Sequence, residues 1–181
     1  MKQVREWERI DSNTVGDYDV FRVRRTRARS PRTGEVHVFH VLDVPCCVQV
    51  IPITEDGRVV MVEQYRQGVQ RVTLEFPAGV VQQGEDPLRA ALRELEEETG
   101  YRAGDAAVLI EFDPDPALHA NTVQVIVARN CTADGARNQD EAEDVAVRLV
   151  SPDQIDALIR DGSIRHAVAI GAWYLYQSTR G

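Results

Sequence analysis

Apolar and polar residues alternate in short runs along most of the chain, and a helical rhythm replaces that alternation in three places. From Asp19 to Ala28, Val20, Phe21 and Val23 stand among Arg22, Arg24, Arg25 and Arg27. Successive strand residues face opposite sides, so this segment predicts a half-exposed strand with a basic outer face. Ser30-Pro31-Arg32-Thr33-Gly34 predicts a turn, and a second strand follows from Glu35 to Leu42. Two strands alone make a marginal hairpin, which needs another surface to pack on. Cys47 to Ile53 is rich in β-branched residues, and Glu55-Asp56-Gly57 turns it into a partner strand from Val59 to Gln64. Val72 to Phe76 predicts a short strand that stops at Pro77.

The clearest helix comes next. Leu88, Ala91, Leu92 and Leu95 fall at i, i+3, i+4 and i+7, one apolar stripe. Asp86 suits the N-cap, Pro87 the first helical position, and Gly100 a left-handed C-terminal cap. Ala107 to Phe112, Thr122 to Ala128 and Val145 to Val150 predict three more strands. Ser151-Pro152-Asp153-Gln154 reads as a capping box opening a helix with Ile155, Leu158 and Ile159 on its apolar side. A last helix spans Ala167 to Gln177. Strands, a central helix, more strands and terminal helices predict an α+β fold with a mixed sheet.

The chemistry concentrates between Gly79 and Tyr101. Gly79 is followed by Glu85, then Arg93-Glu94-Leu95, Glu97-Glu98 and Gly100-Tyr101. At about 100° per residue, Glu94, Glu97 and Glu98 share one helix face, rotated well away from the leucine stripe. Three like-charged carboxylates repel unless a cation joins them, and hard oxygen donors suit Mg²⁺ or Mn²⁺. Arg93 neighbours this face and can orient a glutamate through a bidentate pair. The plain alternative is a solvated acidic helix face. The spacing of both glycines, Arg93 and the glutamates weighs against it. This stretch resembles the Nudix box at every fixed position.

The resemblance extends further. Glu63-Gln64-Tyr65-Arg66 and Leu74-Glu75-Phe76-Pro77-Ala78-Gly79 look like the ADP-ribose pyrophosphatase and nucleoside-diphosphate-sugar branch of that family. The resemblance implies a Nudix α/β/α sandwich with a mixed sheet. It implies a small N-terminal β-subdomain, residues 1–45, serving dimerisation and the substrate pocket, before a hydrolase domain at 46–181. Metal would be held by the Ala78 carbonyl, Glu94, Glu97 and Glu98, with Glu143 from the acidic run Asp140-Glu141-Ala142-Glu143-Asp144. Glu141 is the implied general base, with a box glutamate such as Glu97 as the alternative, and Arg93 supports the catalytic group. Arg66, Glu75 and Glu63 are the implied substrate contacts. Pro116 stands where ADP-ribose hydrolases carry a proline, but Asp113-Pro114-Asp115-Pro116-Ala117 departs from their Ser-Pro-Gly form. His119 lies in that loop; no histidine is assigned a role. Trp7, Tyr18 and Phe21 could stack on a base, although packing is the plainer use.

Composition narrows the class. A formal charge of −8 opposes general nucleic-acid binding. It is compatible with a phosphorylated substrate when a bound metal inverts the local field. Cys46, Cys47 and Cys131 have neither disulfide nor zinc spacing and suit a reducing cytosol. No signal peptide or membrane span is expected. With the resemblance, the expectation is a cytoplasmic, Mg²⁺- or Mn²⁺-dependent hydrolase of a nucleotide sugar, ADP-ribose first, and the resemblance implies a homodimer. Dinucleoside polyphosphates or modified nucleotides are the second substrate class, and a nucleotide-sensing domain is the non-enzymatic alternative.

Overall fold

The computed structural model describes residues 3–138 and 144–179. Thirteen elements run in the order β1 (Glu8–Tyr18), β2 (Phe21–Arg29), β3 (Val36–Asp43), β4 (Cys47–Thr54), β5 (Val59–Arg66), β6 (Arg71–Glu75), β7 (Ala78–Val80), α1 (Pro87–Thr99), β8 (Asp105–Phe112), β9 (Val123–Cys131), β10 (Val145–Val150), α2 (Pro152–Arg160) and α3 (Ala167–Ser178). They form two compact units, Met1–Pro45 with Asp113–Asn121, and Cys46–Phe112 with Thr122–Gly181.

The first unit is an antiparallel sheet in the order β1-β2-β3. Sequence patterning misses β1, because Glu8–Tyr18 has no apolar alternation. Cross-strand polar pairs hold it instead: Arg27 to Asp11, Arg29 to Glu8, and Ser12 Oγ to Thr26 Oγ1 at 2.8 Å. The proline loop joins this unit too. The Leu42 N–H donates to the Leu118 carbonyl and Ala120 N–H to the Leu42 carbonyl, at 2.8 and 3.0 Å. Pro116 and His119 therefore sit with the N-terminal strands, inside the range that the sequence reading gave to a second domain.

The second unit carries a mixed sheet in the order β10-β5-β4-β9-β8, with β6 on β5 and β7 on β4. Only β4 and β9 run parallel among these pairs. Strand alternation divides the interior into two layers. On β4 and β9, Val48, Val50, Ile126 and Ala128 pack with Ala90, Ala91 and Leu95 of α1. Ile51, Val125 and Val127 point the other way, into a core with Ile155 of α2 and Ala169, Ala172 and Trp173 of α3. This is the α+β sandwich, with helices on both faces of one sheet.

The local signals for α1 and α2 are realised as read. Asp86 accepts the Arg89 N–H and Gly100 takes φ 74°, closing on the Glu96 carbonyl. Ser151 and Gln154 form the reciprocal capping box of α2. No helix among the described residues is long and apolar enough to cross a membrane.

Leu95 is fully buried between α1 and the sheet. Leu95→Ala is expected to cost about 3 kcal/mol through lost burial and the cavity left behind. Urea unfolding should show a lower midpoint with an unchanged slope.

Candidate active site on α1 and the strand loop before it

The carboxylate face of α1 is partly enclosed by the protein: Glu98 is buried, and the Glu94 and Glu97 side chains are 12% and 33% exposed. Ala90, on the same side, is fully buried, and Glu98 is only 3% exposed. Glu98 follows Leu95 by three residues, so it borders the apolar stripe; the sequence reading placed it well away. An acid so enclosed is rarely accidental. The burial of Glu98 weighs against a fully solvated acidic face, while Glu97 keeps contact with water.

Two close approaches fix the carboxylates. The Ala78 N–H donates to Glu98 Oε2 at 3.3 Å, joining β7 to the last turn of α1. A Cβ placed on Gly79 would lie 1.9 Å from Glu94 Cδ, so only glycine lets Glu94 reach across the strand. The pairing of Val48 with Gly79 and Gln49 with Ala78 holds that strand in register beside β4.

Arg93 gathers the remaining acids. Its Nε and Nη2 donate to both oxygens of Glu85 at 3.0 and 3.1 Å. Its Nη1 donates to Glu94 at 2.7 Å and Glu97 at 2.9 Å. Nη2 also reaches the Val80 carbonyl at 3.2 Å. These partners raise the Arg93 pKa, Glu85 most of all, against the opposing effect of burial. Glu85 is correspondingly lowered, first by Arg93 and then by the Gln82 N–H. Glu85 thus braces the arginine that aligns the helix carboxylates.

The donor set suits a hard divalent cation in its chemistry: carboxylates, with a backbone carbonyl at Ala78 close by in the chain. Among the described residues, however, no three acidic, histidine or cysteine side chains already converge as a metal cage. Glu94 and Glu97 are drawn to Arg93 instead. Glu141 and Glu143, expected to supply the base and a further ligand, lie outside the described residues. Their flanks do not: Asn138 N–H donates to the Glu97 carbonyl at 3.0 Å, and Arg137 Nη2 donates to the Val145 carbonyl at 2.5 Å.

A second polar group centres on Glu75, which is 1% exposed. Arg66 grips it with Nε and Nη2 at 3.0 and 2.8 Å, Thr73 donates its hydroxyl, and His166 Nδ1 lies 3.1 Å from Oε2. Burial pushes the Glu75 carboxyl up, but His166, Arg66 and Thr73 outweigh it and hold it well below the usual range. The group lines a cleft of about 370 Å³ with Arg71 and Arg165. His166 has no signal in the sequence, since only folding brings the start of α3 beside β6. Glu63 is separated from this group. Glu75 is registered against Val62, so Arg66 and Glu75 share one face, while Glu63 faces the other and pairs with Arg148 at 3.1 Å.

The chain is similar to several known proteins. The NUDIX domain family model matches residues 45–170. A methanol dehydrogenase activator from Bacillus methanolicus is 36% identical over 132 residues, 72% of this chain and 71% of that protein. An ADP-ribose pyrophosphatase from Bacillus subtilis (strain 168) is 33% identical over 135 residues, 74% of this chain and 73% of that one. A solved structure of an ADP compounds hydrolase superposes with a TM-score of 0.85 at 22% identity, covering 98% of this chain and 96% of its own.

Glu75 titrates at an ordinary 4.5 when unfolded and lower when folded. Its contribution is therefore fully present above about pH 4.5 and drains as pH falls toward the folded value. Glu75→Gln is expected to lose about 3 kcal/mol in urea unfolding near pH 7. The gap to the parent should narrow below about pH 4.5. A gap that stays constant down to about pH 3 would mean that charge is not its source.

Proposed function

Because the chain belongs to the Nudix family, we propose that it hydrolyses the diphosphate of a nucleoside diphosphate sugar, with ADP-ribose the leading substrate. The products are a nucleoside monophosphate and a sugar phosphate. One observation carries the reading: Glu98 of α1 is buried against the Ala78 N–H, and half-buried Glu94 and Glu97 are aligned beside it by Gly79 and Arg93. The names borne by the Bacillus subtilis relative and by the superposed structure support ADP compounds as the substrate class.

Mg²⁺ or Mn²⁺ is the proposed cofactor, held by Glu94, Glu97, Glu98 and the Ala78 carbonyl, with Glu143 as a further ligand. When bound, such a cation neutralises diphosphate oxygens and lowers the pKa of a coordinated water. The protein's own part is positional. Glu98 is kept in place by the Ala78 N–H. Arg93 aligns Glu94 and Glu97 and is itself braced by Glu85. Glu141 is proposed to take the proton of the attacking water; Glu97 is the other candidate. Arg66, held flat against Glu75, is proposed to meet the nucleotide. Glu63, on the opposite strand face and paired with Arg148, is proposed as a further substrate contact apart from Arg66 and Glu75. The active form is proposed to be a homodimer in a reducing cytoplasm, a setting supported by cysteine positions without disulfide spacing in the sequence.

The test is release of phosphomonoester from a panel: ADP-ribose, GDP-mannose, UDP-glucose, a dinucleoside polyphosphate and nucleoside triphosphates. Each is assayed with Mg²⁺ or Mn²⁺ and with chelator. Cleavage led by ADP-ribose and stopped by chelator is expected. Preference for dinucleotides or triphosphates would overturn the substrate class, and ligand binding without turnover would favour a nucleotide sensor.

Glu98→Gln should lower turnover about 100-fold or more while the circular dichroism spectrum is unchanged. Gly79→Ala should act in the same direction by displacing Glu94. Near-parental turnover in both would remove the glutamates from the mechanism.

A further inference from the structure

The last turn of α1 breaks an electrostatic rule. Glu96, Glu97 and Glu98 crowd the end of a helix where the backbone dipole is already negative, and that turn contains no basic residue. The compensating charge arrives from a segment far along the chain. Arg137 donates from Nε to the Glu98 carbonyl at 3.1 Å and from Nη2 to the Val145 carbonyl at 2.5 Å. The same segment donates backbone N–H groups from Asn138 to the Glu97 carbonyl and from Gly135 to the Gly100 carbonyl, both at 3.0 Å. The fit is close: a Cβ on Gly100 would lie 3.0 Å from Arg137 Cγ. Gly100 is thus required twice, for its left-handed φ and for room beside Arg137.

The geometry points to Arg137 as a positioning residue for the metal carboxylates, a role that rests on the metal reading above. One guanidinium spans the end of α1 and the first residue of β10. It sets the position of the turn bearing Glu97 and Glu98 relative to the sheet, and it places positive charge at the negative helix end. Its bonds to the Glu98 and Val145 carbonyls let it act through the backbone that carries the carboxylates. Without it, Glu97 and Glu98 would keep their chemistry but lose their spacing, and a bound cation would pay for re-forming it.

The test compares Arg137→Ala and Arg137→Lys with Arg102→Ala. Arg102 pairs with the Glu96 side chain at 2.6 Å and supplies the control for losing one cation near the same helix end. Mn²⁺ affinity is read from the free-ion electron paramagnetic resonance signal, without substrate. In parallel, ADP-ribose turnover is followed against Mn²⁺ concentration. Arg137→Ala is expected to weaken Mn²⁺ binding about tenfold, raise the half-activating concentration by a similar factor and leave the KM for ADP-ribose within about twofold. Arg137→Lys should recover part of the loss, since an ammonium reaches one carbonyl but cannot span both. If Arg137→Ala fails to fold, the lysine variant alone is expected to show a smaller weakening in the same direction. Parental Mn²⁺ affinity in the folded Arg137 variants would overturn the proposal, as would an equal loss in Arg102→Ala. Absence of Mn²⁺ binding by the parent protein would instead overturn the metal reading on which it rests.

Discussion

Like-charged carboxylates at the negative end of a helix repel each other, and the second unit is arranged around holding them there. Glu94, Glu97 and Glu98 cannot all be ionised and adjacent at the edge of the interior unless something compensates them. Three kinds of group do so: the guanidinium of Arg93, the N–H of Ala78 and the Arg137 segment at the helix end. Each comes from a different place in the chain. The sheet register, the glycine before the helix and the capping of its last turn are therefore parts of one electrostatic arrangement.

This explains why the glycines are not interchangeable. Gly79 is needed for contact, because any side chain there would occupy the volume of the Glu94 carboxylate. Gly100 is needed first for conformation, at φ 74°. A loop selected only to turn the chain would require the second property but not the first. The close approach at Gly79 ties the loop to a particular side chain on the helix, which marks a site more strongly than a turn does.

How far the sequence could reveal this depends on how local each cause is. Caps, the Asp-Gly hairpin and the helix stripe act within a few residues, and Asp86, Gly57, Ser151 and Gly100 all behave as their spacing predicts. The acidic face of α1 was legible as a face, but its burial was not, since burial of Ala90 and Glu98 depends on strands that pack over them. Strand β1 escaped because its pairing rests on polar cross-strand bonds, which leave no hydrophobic period. His166 and Arg137 escaped for the same reason at longer range: nothing near either residue in sequence signals a carboxylate or a helix end. Glu63 shows the limit of motif proximity. It sits three residues from Arg66 in a matching motif, yet strand alternation sends the two to opposite faces.

The same alternation bears on how an acidic chain handles an anionic substrate. With a net charge of −8, unsteered attraction to a diphosphate is not available. The positive charge is placed locally instead. Arg66 lies flat on buried Glu75, and Arg71 and Arg165 line the same cleft. Glu75 does not cancel this positive character so much as orient it: a bidentate pair fixes the plane of the guanidinium, which a flexible surface arginine would not hold. Orientation of an arginine by a bidentate acid is the device used at both polar groups, with half-buried Glu85 bracing Arg93 and buried Glu75 bracing Arg66. In each case the acid that grips the arginine through two bonds fixes the plane of its guanidinium.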